Sequence, residues 1–96
     1  MDVCVLAAIK NEDSYGYKII KDVSPYIQLS ESTLYTILKR LESTGMLTVR
    51  SAEHNGRLRK YYHITGLGMK RIEDFREDWK EIMTVYSFVT KEEQDD

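Results

Sequence analysis

The 96-residue chain carries 14 Lys and Arg against 16 Asp and Glu, a formal charge of -2, and is 42% hydrophobic. That describes one domain with a modest core, near the size where burial is thin enough that pairing with a second copy would add stability. A single Cys excludes an internal disulfide, and no apolar run approaches a membrane span. With no charged-then-apolar leader at its start, the expected location is the cytoplasm.

In chain order, Asp2 to Lys10 is a predicted first helix, apolar nearly all round through Val3, Val5, Leu6, Ala7, Ala8 and Ile9, as a central packing helix would be. Cys4 falls inside it and reads as a small buried hydrophobe rather than a nucleophile. Asn11 to Ser14 is a polar break. Ser14 is placed to cap a second helix, Tyr15 to Val23, whose apolar positions are Tyr15, Ile19, Ile20 and Val23. Gly16 in its first turn leaves room for a close helix contact. Ser24-Pro25 ends it, because the residue before Pro is driven out of the α region. Tyr26 to Leu29 alternates briefly, as a strand stub would.

The third helix runs from Ser30 to Gly45. Leu34, Ile37, Leu38 and Leu41 recur at i, i+3, i+4 and i+7 and form the inward stripe. Ser30 suits the N-cap, Glu31 the positive end of the dipole, and Gly45 a left-handed C-cap. At 100° per residue Ser32, Thr36, Lys39, Arg40 and Ser43 project outward, with Thr33 and Tyr35 beside them and no acid expected to interrupt the surface. Hydroxyls, a Tyr and a Lys-Arg pair suit the DNA major groove. They are equally what a solvated helix face shows.

After Gly45 the period changes to 2. Leu47 and Val49 alternate with polar neighbours, as do Tyr62 and Ile64, and Asn55-Gly56 lies between the two runs as a hairpin turn. A two-residue turn sets Leu47 opposite Ile64, Val49 opposite Tyr62 and Arg50 opposite Tyr61, pairing apolar with apolar. The tip is basic, through Arg57, Arg59 and Lys60, with Gly56 needed at positive φ. Three helices followed by a protruding basic hairpin make a winged helix-turn-helix, its third helix suited to the major groove and its wing to backbone or minor groove.

Thr65 caps a last helix from Gly66 to about Val89, long enough to extend ~36 Å. Ile72, Phe75, Trp79, Ile82, Tyr86 and Val89 are spaced 3, 4, 3, 4 and 3, a heptad seam that outruns a three-helix core and wants a partner helix. The chain therefore divides into a winged helix-turn-helix over 1–65, a dimerisation helix over 66–89 and an acidic tail over 90–96. Charge follows the same division. Residues 1–29 carry three bases and four acids, residues 30–65 six and three, and residues 66–96 five and nine, so the basic excess sits on the third helix and wing.

No metal spacing or phosphate loop is present, and His54 and His63, on opposite strands of the hairpin, read as surface polar positions with no carboxylate tied to either. The chain is thus read as needing no cofactor and as not an enzyme. The other class open to it is a winged helix used for protein contact or dimeric scaffolding, without DNA.

The order YGYKI (Tyr15 to Ile19), STLYTILKRLESTGML (Ser32 to Leu47), GRLRKYYHIT (Gly56 to Thr65) and a long helix carrying Trp79 resembles the PadR family of bacterial transcriptional regulators over nearly the whole chain. The resemblance implies a mainly α fold with a small β-hairpin and a homodimer joined through the C-terminal helix. It also implies repression from double-stranded operator DNA and, in some members, release by a small ligand. Many relatives have Pro where this chain has Thr36; a branch that binds aromatic, drug-like cations is similar to the LYTI found here. Trp79 falls where that branch carries a Trp lining a pore between subunits, which makes Phe75, Trp79 and Ile82 the expected contacts of a small aromatic or cationic ligand.

Overall fold

The computed structural model describes residues 1–91, so the acidic tail expected over 90–96 falls, beyond Lys91, outside the described residues. Its elements are α1 (Asp2–Ala8), α2 (Gly16–Val23), α3 (Glu31–Ser43), β1 (Leu47–His54), β2 (Arg57–Ile64) and α4 (Gly66–Thr90). Four helices and one antiparallel hairpin form the mainly α, winged arrangement expected from the periodicities. The core gathers Val5, Leu6 and Ile9, Ile19, the α3 stripe of Leu34, Ile37, Leu38 and Leu41, and Leu47, Tyr62 and Ile64 from the hairpin base. The α3 stripe is buried against α1, α2 and β1, while α1, the expected central packing helix, packs against α2, α3 and α4.

Both ends of α3 are built from the residues marked for them. Ser30 Oγ accepts the Thr33 N–H at 3.2 Å and donates to Thr33 Oγ1 at 2.9 Å. At the other end Gly45 adopts φ +79°. There the Gly45 N–H reaches the Glu42 carbonyl at 3.0 Å and the Met46 N–H the Leu41 carbonyl at 2.9 Å, the paired bonds of a Schellman cap. Thr65 joins this end to the start of α4. Its Oγ1 donates to the Gly45 carbonyl at 2.6 Å and accepts from the Gly68 N–H at 3.2 Å, so one hydroxyl closes one helix and opens the next.

The hairpin register is the expected one, with Leu47 opposite Ile64, Val49 opposite Tyr62 and Arg50 opposite Tyr61. Asn55 at φ 52° and Gly56 at φ +79° form the two-residue turn, whose twist matches that of the strands.

Five local expectations are corrected. Ser24, expected outside the α region because it precedes Pro25, keeps right-handed helical angles (φ -59°, ψ -30°) as the C-cap of α2. The first helix stops at Ala8, and Ile9 (φ -116°, ψ 9°) leaves helical geometry to turn its side chain into the core. Cys4 is only half-buried, its Sγ 3.9 Å from Met1 Sδ, because it sits at the edge of the face that α1 buries. Ser14 caps nothing. It forms an isolated β-bridge with Tyr62, its N–H to the Tyr62 carbonyl at 3.2 Å and the Tyr62 N–H to its carbonyl at 2.8 Å. Helix α2 accordingly begins one residue later, capped by extended Tyr15 without a side-chain bond. Tyr26 to Leu29 is a turn and an extended connection, not a strand.

Candidate nucleic-acid interface

Helix α3 and the wing enclose a groove. Ser32, Tyr35, Thr36 and Lys39 line it from the helix, Val49, Lys60 and Tyr62 from the hairpin. A second, wider groove continues from Tyr35 past Tyr15 and Tyr17 of the α2 start to Arg57, Leu58 and Arg59 at the tip. Tyr35 stands between the two. Its hydroxyl lies where a Cβ on Gly16 would meet it at 2.7 Å, so the close helix contact expected at Gly16 is with Tyr35. Arg40 falls on the far side of Lys39 beside Ser43.

The hydroxyls are half committed. Thr36 Oγ1 donates to the Ser32 carbonyl at 3.0 Å and Ser43 Oγ to the Arg40 carbonyl at 2.9 Å, which leaves their lone pairs facing out. Thr33 is exposed but belongs to the N-cap. Gly56 sits in the turn itself at φ +79°, with open space around it. The outer surface is not free of acid: exposed Glu42 borders the groove between Lys39 and Lys60, because it follows Lys39 by three positions and so lies only ~60° round the helix. Burial raises the pKa of the Tyr62 phenol, with Tyr35 and Glu42 adding to the shift, so Tyr62 stays a neutral donor at the groove floor.

Ion pairing sets the cations of α4 apart from those of α3 and the wing tip, although Lys10 and Lys21 also make no ion pair among the described residues and Lys18 and Arg50 do. On α4, Lys70, Arg71, Arg76 and Lys80 each pair with a carboxylate. Among the described residues Lys39, Arg40, Arg57, Arg59 and Lys60 pair with none. Arg59 is held differently, half-buried with its guanidinium 3.8 Å over the Tyr15 ring. Tyr15 in turn meets Tyr61 edge-on at 5.8 Å. Of the five it has the least freedom to reach outward.

Sequence reasoning missed the clasp behind the wing. Asp13 accepts from Arg50 Nη2 at 3.1 Å and lies 2.8 Å from His63 Nδ1, while the Arg50 guanidinium rests 4.8 Å from the Tyr61 ring centre. His63 therefore has a carboxylate after all, supplied by the segment before α2. Hydrogen bonding to His63, more than that to Arg50, holds the Asp13 carboxyl below its ordinary range despite some burial.

Along α4 the expected seam is exposed from Phe75 onward. Ile72 is not part of that free face, since it packs against the core, and Arg71 pairs with Asp2 at 3.3 Å to tie α4 to α1. Phe75, Trp79, Ile82, Tyr86 and Val89, with Met83, occupy a stripe ~120° wide. The Phe75 and Trp79 rings are 6.2 Å apart and tilted 60°.

An outward helix inside a three-helix unit, followed by a basic two-stranded wing, defines a winged helix-turn-helix protein. The chain belongs to the transcriptional regulator PadR-like family, whose model matches residues 5–74. A PadR family transcription regulator from Clostridium difficile is similar at 31% identity, with a TM-score of 0.82 over 92% of this chain and 95% of that one. The protein smu.1704 from Streptococcus mutans is similar at 38% identity and a TM-score of 0.81, over 99% of this chain and 91% of that one. PadR of Bacillus subtilis, solved in complex with operator DNA, shares the fold at 22% identity and a TM-score of 0.72, over 77% of this chain and 45% of that one.

Proposed function

We propose that this regulator is a dimeric repressor that binds double-stranded operator DNA in the cytoplasm. In this reading residues 1–65 form the DNA-binding unit and the helix from residue 66 onward the dimer contact. Helix α3 enters the major groove with Ser32, Tyr35, Thr36, Lys39 and Arg40 on or beside the DNA face, and the wing brings Arg57 and Lys60 to the phosphates. The observation that carries it is the placement of the cations: those of α4 are neutralised within the chain, whereas Lys39, Arg57 and Lys60 line the two adjoining grooves between α3 and the wing and are left for an external polyanion. Phosphate contacts fix register, and side chains on base edges read sequence. Two copies joined through Phe75, Trp79, Ile82, Tyr86 and Val89 would present two such units to the two halves of an operator. A planar aromatic or cationic molecule held at Trp79 between subunits, with Phe75 and Ile82, would bias the spacing of those units and release the DNA.

The test is the mobility of a random-sequence duplex pool over a salt series, followed by selection of the retained sequences. Enrichment of a two-fold symmetric site, bound with a steep negative salt slope, is the expected result. A chain that dimerises yet retards no duplex at low salt is a protein-contact module instead.

A further inference from the structure

The wing carries a large apolar side chain where the chain has no core to receive it. Leu58, Lys60, Tyr62 and Ile64 share one face of β2, because alternate residues of a strand point the same way. Tyr62 and Ile64 on that face are buried in the core, but Leu58, nearest the tip, is 79% exposed. Its cross-strand partner is Glu53, so β1 offers it no apolar cover. Across the same groove lies Tyr17, 74% exposed, on the first turn of α2. The cations Arg57 and Lys60 flank the pair on the wing side and make no ion pair among the described residues.

We propose that Leu58 and Tyr17 are an apolar clamp for the deoxyribose face of one DNA strand, and that the wing holds sugar as well as phosphate. The inference rests on the DNA-binding reading above. A sugar-phosphate backbone presents C–H surface beside anions, and this groove presents the apolar Leu58 and Tyr17 beside the cations Arg57 and Lys60. A second copy of the chain or an acidic protein would satisfy Arg57 and Lys60 but would not place apolar surface regularly between charges. Contact with the sugar carries no base information. It adds affinity that salt does not titrate, since burying apolar surface releases no counterions.

That difference gives the test. The intact chain, with Leu58→Ala, Leu58→Met, Tyr17→Ala and Arg57→Ala, is titrated by fluorescence anisotropy against a duplex selected from a random pool, over a range of NaCl. Leu58→Ala is expected to weaken binding about tenfold per subunit, roughly a hundredfold for the dimer, at every salt concentration, the effect of withdrawing one leucine side chain of each copy from contact, with the log-log slope unchanged. Leu58→Met should recover most of the loss, and Tyr17→Ala should resemble Leu58→Ala. Arg57→Ala should lower the slope by roughly two units, about one for each subunit's lost phosphate contact. Hydroxyl-radical footprints, which report access to deoxyribose hydrogens, should lose protection at the same few sugars in Leu58→Ala and Tyr17→Ala only. Wild-type affinity in Leu58→Ala overturns the clamp. So does a reduced slope in that variant, which would mean that Leu58 only shapes the hairpin that carries the cations. Failure of the unaltered chain to bind any duplex overturns the DNA reading itself, a separate result.

Discussion

Asp13 and His63, fifty positions apart in the chain, meet at 2.8 Å and fasten the wing to the segment leading into α2. The same carboxylate holds Arg50 of β1, and between these contacts the backbone of Ser14 pairs with Tyr62. The hairpin is thereby fixed at its base on both strands, and its tip projects from a defined platform beside α3.

Replacing Asp13 with Asn should loosen that platform. The partners are exposed, so the loss in unfolding free energy is about 0.5–1 kcal/mol. The folded carboxyl is held below its ordinary value of 3.8, so its contribution is present above that pH and vanishes as pH falls through the depressed folded value. Thermal melts from pH 2 to 7 should show wild type and Asp13→Asn converging below about pH 4. A constant gap across that range would show that the carboxylate contributes through packing alone.

Gly68 is where α4 crosses the start of the hairpin. A Cβ there would collide with the Met46 carbonyl oxygen and stand 2.7 Å from Ile64 Cγ1. Gly68→Ala should therefore cost about 1–3 kcal/mol and lower the melting temperature by several degrees. Gly66→Ala, two residues earlier and with open space around it, is the control and should melt at or above wild type.

Lys39 lines the groove between α3 and the wing and also the surface on its far side, where Arg40 lies. Lys39→Glu adds a second acid beside Glu42 and should abolish retention of a selected duplex at moderate salt while leaving the melting temperature within about 2–4 °C, as exposed substitutions generally do. Unchanged affinity would remove Lys39 from the DNA face.

Trp79 is the single Trp of the chain and sits mid-stripe on α4. If that stripe joins two copies, Trp79→Ala should shift sedimentation toward monomer and weaken DNA binding with it, since anchoring aromatics commonly contribute more than 1 kcal/mol to an interface. Titration with planar cations and phenolic acids should quench its fluorescence at the concentrations that release DNA. Quenching without release would locate a ligand but no switch.

Local pattern carried much of this molecule. The α3 stripe, the Ser30 and Gly45 caps, the Asn55-Gly56 turn and the 3-4 spacing along α4 are each decided within a few residues, because a helical or strand period and the φ preference of Gly or Asn act over that range. The hairpin register followed, since a slip of one residue would have turned Tyr62 and Ile64 out of the core. What sequence could not decide lies wherever two distant segments compete for one group. Ser14 has the composition of an N-cap, but the edge of β2 offered its backbone two hydrogen bonds, so it became a bridge. His63 and Asp13 are unremarkable surface residues until the fold superimposes the segments that carry them. Ile72 continues the heptad seam in sequence, yet α1 reaches it first, and the free face starts one step later at Phe75. Leu58 shows a related limit: the polar tip marks the wing as protruding, but only the tertiary structure sets Leu58 and Tyr17 on one groove.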